Sequence, residues 1–181
     1  MPSYIRKQLR AVMSTFQDAI MDQAASEISF DIDEIADESR IWVDKYFDVY
    51  VNRHIGRSTG QINKLLDEDE EGVDSVIQRM DEWIDKRPEK IAVEESVRAS
   101  NSATQFVFWS GGFSSVWRIR GAETCPYCRE LNGRKVKSGG SIFDGGEEFE
   151  PKGATSGPMK ISGGLSHPPL HAGCDCYVSN R

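Results

Sequence analysis

All four cysteines and two of the three histidines of the chain fall into two short knots. The first is Cys125-Pro126-Tyr127-Cys128. The second, after 42 intervening residues, is His171-Ala172-Gly173-Cys174-Asp175-Cys176. A C-x2-C turn presents two thiolates to one ion, and H-x2-C-x-C adds two or three further donors. If residues 174–178 form a strand, alternation of side chains turns Cys174 and Cys176 to the same face. A sulfur-rich set of this kind suits tetrahedral zinc. The predicted ligands are Cys125 and Cys128 with two from His171, Cys174 and Cys176; His167, just upstream, is a further candidate. So many donors close the coordination shell, which points to a structural ion rather than a hydrolytic one with an open position.

Other chemistries of these residues fit less well. Cys-Pro-Tyr-Cys is also the redox motif of glutaredoxins, so a thiol-disulfide oxidoreductase using Cys125 and Cys128 is the alternative function. That fold needs ordered strands and helices after its motif, whereas here 53 residues follow, largely Gly-rich. Zinc deaminases pair P-C-x-x-C with an upstream H-x-E, but Thr124 precedes Cys125 and no H-x-E occurs. Paired disulfides would suit an exported protein, and the start of the sequence carries no signal-peptide apolar block. His54 has no cysteine or second histidine near it and reads as a packing or surface residue.

The remainder of the chain must position the two knots. Its 181 residues are 38% hydrophobic and 28% charged, with a net charge of -7. No apolar run approaches the roughly 20 residues that span a bilayer, so no membrane partner and a cytosolic site of synthesis are expected. Residues 1–86 carry 10 Lys/Arg against 19 Asp/Glu, whereas residues 87–181 carry 12 against 10. Twelve of the 16 glycines lie between Gly111 and Gly164. The predicted architecture is therefore α+β: an acidic helical region over residues 1–86, then a module over 87–181 with a helix at 88–110 and a zinc-clamped, β-rich part at 114–178.

Apolar spacings of three and four predict helices over residues 4–21, 35–55 and 73–84. Gly56 and Gly60 are read as ending the second, with a short piece at 62–66. Residues 67–71 are read as a solvated acidic linker, and Pro88 as the first turn of the next helix, which Gly111-Gly112 stops. Trp42, Tyr46, Phe47 and Tyr50 are either ordinary core or a docking face. Strands are predicted at 114–119, 134–137 and 174–178. The Gly-rich stretch 138–165, with few large apolar residues, is read as a long loop that builds little core and acts as a mobile arm that orders on a partner. Residues 115–181 are too few for an apolar core alone to be reliable. Closing the 42-residue connection costs roughly 3 kcal/mol, against roughly 10–16 kcal/mol of apparent stabilisation from structural zinc. Arg118, Arg120, Arg129 and Arg134 flank the knots, where they can offset thiolate charge or make a weak DNA contact.

The motif order Trp117, Cys125-x2-Cys128, Leu131-x-Gly133, then His171-x2-Cys174-x-Cys176 resembles the C-terminal signature of the Mu F-like phage head-morphogenesis proteins, also called minor head or minor capsid proteins. Upstream, Ile91-Ala92-Val93-Glu94-Glu95 is similar to that family's Ala-Arg-Thr-Glu helix, with Val93 and Glu94 in place of the Arg and Thr. At the far end the family commonly has His-Pro-x-Cys-Arg-Cys, and Asp175 reverses the usual charge. The resemblance covers residues 88–178. It implies a non-catalytic virion component, made in the cytoplasm of an infected bacterium and incorporated in few copies beside the portal. The implied partners are the portal protein, the major capsid protein or both, with an influence on DNA packaging or ejection. Longer relatives carry toxin or ADP-ribosyltransferase domains after this module; with five residues past Cys176, no such effector is expected here.

Overall fold

The computed structural model describes residues 3–68, 72–121 and 125–181. Its elements run α1 (Ser3–Ile28), a 3-10 turn (Ile32–Ile35), α2 (Ala36–Glu68), α3 (Gly72–Ser110), β1 (Ser115–Arg118), α4 (Pro126–Leu131), β2 (Lys135–Val136), β3 (Glu148–Phe149), β4 (Met159–Lys160) and β5 (Tyr177–Ser179). The architecture is α+β, with long helices first and small antiparallel sheets after them. One sheet has the order β2-β1-β5, and β3 and β4 form a separate hairpin.

The helices are longer and fewer than the sequence predicts. α1 runs on past Met21 to Ile28, and α2 continues through Gly56 and Gly60 to Glu68. A Cβ on either glycine would meet nothing within 4 Å. Each glycine costs about 1 kcal/mol of helix propensity, which burial of Val43, Tyr46, Phe47 and Val51 on the same helix offsets. Pro88 lies inside α3 rather than at its first turn. Proline forfeits one ladder bond there, at about 3 kcal/mol, and the helix persists because Ala99, Ala103, Val107 and Phe108 are buried on its later turns. Asp67 and Glu68 belong to α2; residues 69–71 of the expected linker lie outside the described residues.

The chain divides into two compact units, residues 1–14 with 36–92, and residues 15–35 with 93–181. The division in α3 falls near the expected boundary at 86/87, but residues 15–35 group with the C-terminal part. In the first unit Tyr46 and Phe47 are buried, with Trp42 stacked on Tyr46 at 5.3 Å between ring centroids. Arg6 pairs with Asp48 and Arg10 with Asp44. Half-exposed pairs of this kind contribute at most about 1 kcal/mol each, so the apolar residues dominate.

In the second unit α1 and α3 end in the same way with different residues. At the end of α3 the Phe113 N–H reaches the Phe108 carbonyl (2.7 Å) and the Gly112 N–H reaches that of Trp109 (3.1 Å). Gly112, at φ +81°, supplies the left-handed turn this needs. α1 closes through Phe30 N–H to Ala25 (2.9 Å) and Ser29 N–H to Ser26 (3.3 Å), but here Ser29 carries the positive φ of 53°. A side chain in that region costs about 1–2 kcal/mol. Ser29→Gly is therefore expected to stabilise the protein by about 1 kcal/mol, read as a rise of roughly 2–4 °C in a thermal melt.

Two strand expectations need correction. Cys174 and Cys176 precede β5 rather than lying in it, although burial still alternates across Cys174, Asp175 and Cys176 (buried, exposed, buried). The stretch 138–165 is also more than loop. It holds the β3–β4 hairpin, the antiparallel bridge Phe143↔Leu165, and two buried core residues, Phe143 and Ile161. Its glycines permit close approach and tight turning: a Cβ on Gly145 would stand 3.3 Å from the Gly163 Cα, and Gly146 turns at φ +93°.

Candidate metal centre

The site is built on β1, the middle strand of its sheet. Trp117, 1% exposed, is the largest fully buried side chain and heads a cluster with Cys128, Leu131, Phe143, Ile161, Cys174 and Cys176. α4 follows, where only a turn was expected. Pro126 occupies its first turn, with φ already set for a helix. Cys125 is its N-cap, accepting the Cys128 N–H on sulfur at 3.4 Å. This bond aims both sulfurs of C-x2-C to one side. After α4, Gly133 turns at φ +85°. Its N–H bonds to the Trp117 carbonyl (2.8 Å), while the Trp117 N–H bonds to the Arg134 carbonyl (2.9 Å). Trp117, Leu131 and Gly133 thus form one locked corner that presents Cys125 and Cys128.

The second knot meets this corner. Cys125 Sγ lies 3.1 Å from His171 Nε2, Cys128 Sγ lies 3.4 Å from the same nitrogen, and Cys128 Sγ lies 3.5 Å from Cys174 Sγ. Two donor groups result, Cys125–Cys128–His171 and Cys128–Cys174–Cys176, each with its ligand atoms within 4.8 Å of one another. Cys128 belongs to both. Neighbouring ligands on a tetrahedron with bonds of about 2.0–2.3 Å stand about 3.3–3.8 Å apart, and the three short contacts are close to that spacing. No disulfide joins the cysteines. All five predicted ligands are therefore brought together, and the cluster could hold a metal ion. His167 is in neither group; its Nδ1 sits 2.6 Å from the Pro168 carbonyl.

The electrostatics suit a cation. His171 Nδ1 meets the Ala172 carbonyl at 2.8 Å, which leaves Nε2 to face the sulfurs, as in histidines that ligate metals. Burial alone would depress the His171 pKa, but that carbonyl and Cys125 reverse the effect and raise it. At Cys125 burial opposes ionisation, yet hydrogen bonds from the Cys128 N–H and His171 lower its pKa. Cys174 is lowered by hydrogen bonds from Cys128 and Cys176, and Cys128 is raised by donating to Cys174 and Cys176. Four thiols and an imidazole this close leave lone pairs facing one another, and a divalent ion would take those lone pairs and release the thiol protons.

Arg118, Arg120 and Arg134 have partners within the chain. Arg118 donates to the Arg181 carbonyl, Arg120 lies over the Tyr177 ring (5.9 Å) and Arg134 over the Phe143 ring (5.8 Å). Sequence reasoning also missed two residues on α3. Asn101 and Gln105, one turn apart, are buried: Asn101 bonds to Cys176 and Val178, whereas Gln105 bonds to Ser115 and Ser166, outside the Cys/His knots. Two amides at i and i+4 between Val97 and Phe108 were the available signal. Comparison of the chain with protein-family models, curated proteins and solved structures gave no match.

Proposed function

We propose that the chain is a non-catalytic phage minor head protein, taking part in head assembly at or near the portal, whose C-terminal module is held together by structural zinc. The observation that carries this reading is the interlocking of Trp117, Leu131 and Gly133 around the cysteine cluster. These residues, which with the Cys/His knots carry the resemblance to Mu F-like proteins, have one shared physical purpose here: they close a small corner around the donors. Cys128, Cys174 and Cys176 are buried, which favours a closed structural ion over catalysis. Four thiolates or three with an imidazole favour zinc among the common divalent ions.

The test has two parts. Native mass spectrometry of the purified chain is expected to give one zinc per chain, and a metal-free folded protein would overturn the zinc reading. Quantitative proteomics of particles made by the genome that encodes this chain is expected to find it in few copies per particle alongside the portal. Its absence from heads would overturn the assembly role.

One observation favours the oxidoreductase reading: Cys125 is part-exposed at the start of α4, with its thiol pKa lowered. Cys176→Ser separates the two. A clamp predicts impaired metal binding and folding, whereas a redox enzyme predicts a folded protein whose Cys125 still reacts with iodoacetamide as in the wild type.

A further inference from the structure

Asn101 stands on α3 beside the outer edge of β5, 75 residues from the cysteine it touches. Its Nδ2 donates to the Cys176 carbonyl (3.0 Å) and to the Val97 carbonyl of its own helix (2.8 Å). Its Oδ1 accepts the Val178 N–H at 2.7 Å. The amide orientation is settled by chemistry, since the Val178 N–H needs an acceptor and the Cys176 carbonyl a donor. Cys176 and Val178 point these groups away from β1, which pairs with β5 on its other side. A single side-chain amide therefore does what a neighbouring strand would do, gripping residues i and i+2 of an extended segment. Asparagine alone of the similar-sized side chains offers both an acceptor and two donors, and all three are used. Its 4% exposure keeps water from competing.

We infer that Asn101 is a positioning residue for the metal centre: it fixes the main chain of the Cys174–Cys176 knuckle against α3 so that its sulfurs converge on Cys128. This rests on the zinc reading above. The knuckle lies in an irregular segment before β5, with no ladder partner at Cys174 or Cys176. Without a grip on the Cys176 carbonyl, the main chain of the knuckle would be held only by the His171–Cys174 turn before it and by the β5–β1 pairing that begins at Tyr177. Partners that orient ligands from outside the coordination shell typically change metal affinity 10–100-fold when removed.

The experiment compares Zn(II) affinity, by competition with a chelating dye, and the Co(II)-thiolate absorption bands of the full chain with those of Asn101→Ala and Gln105→Ala. Gln105 is an equally buried amide of the same helix that bonds to Ser115 and Ser166 instead of the knuckle. Asn101→Ala is expected to weaken zinc binding about 10–100-fold and shift the Co(II) bands, while Gln105→Ala binds as tightly as wild type. A folded Asn101→Ala protein that binds zinc within twofold of wild type would overturn the proposal, as would equal weakening by both variants. Should Asn101→Ala fail to fold, NMR of the wild-type chain decides. The Asn101 side-chain amide and Val178 N–H signals are expected to shift and gain exchange protection on zinc loading; identical spectra with and without zinc would overturn the inference. A wild-type chain that binds no zinc fails the underlying reading instead, so the two failures are distinguishable.

Discussion

If the ion is zinc as proposed, Cys128→Ser is expected to abolish its stoichiometric binding and unfold the second compact unit while the helical signal from residues 36–92 persists, the largest effect expected of any single substitution. Cys128 is the residue shared by the two donor groups, so an ion held by either group takes its sulfur as a ligand. It is also 1% exposed and packed with Trp117 and Leu131. Apparent stabilisation by structural zinc, about 10–16 kcal/mol, is comparable to or larger than the whole stability of an ordinary domain, about 5–15 kcal/mol. Loss of the ion is therefore not absorbed by the rest of the core. A chelator added to the wild type should reproduce the same change in Trp117 fluorescence and the same protease sensitivity after residue 114. A Cys128→Ser chain that retains one zinc and melts within about 2 °C of wild type would remove the metal from the account of this fold.

The donors were legible because ligand spacing is a local property. Two thiolates flanking Pro126-Tyr127 can meet one ion whatever surrounds them, and the structure brings all five named residues together. The positions of Trp117, Leu131 and Gly133 were legible only as a pattern; their reason, the paired bonds between Trp117 and residues 133–134, is tertiary. Helix ends were misjudged where a local penalty was weighed alone. Gly56, Gly60 and Pro88 each disfavour helix, and burial elsewhere on α2 and α3 overrides them. Ser29 shows the reverse: it ends a helix in the conformation that glycine prefers, which propensity could not foresee. Asn101 was missed for another reason: with Gln105 four residues on it was visible as a polar pair on a helix, but its partners Cys176 and Val178 lie beyond the long connection.

The Gly-rich stretch supplies the second large prediction, because composition suggested a loose arm and the structure makes it part of the core. Phe143 is 6% exposed, packs in the cluster around Trp117, and lies 4.8 Å from the Phe149 ring. Its main chain bridges Leu165, and the Tyr127 hydroxyl donates to the Gly157 carbonyl, so the segment is tied at separate points. Phe143→Ala removes a buried aromatic from a small core and is expected to cost about 3–5 kcal/mol. That is a fall of roughly 6–20 °C in melting temperature for a chain of this size. The loss persists at saturating zinc, since Phe143 is not a ligand, and limited proteolysis should cut first within residues 138–165. A mobile arm predicts no change in melting temperature on the same substitution and cleavage there in the wild type as well. The two outcomes separate because glycine serves two physical ends. It frees an unattached chain, and it also lets attached backbones approach as closely as Gly145 and Gly163 do, where a Cβ on Gly145 would press against the Gly163 main chain.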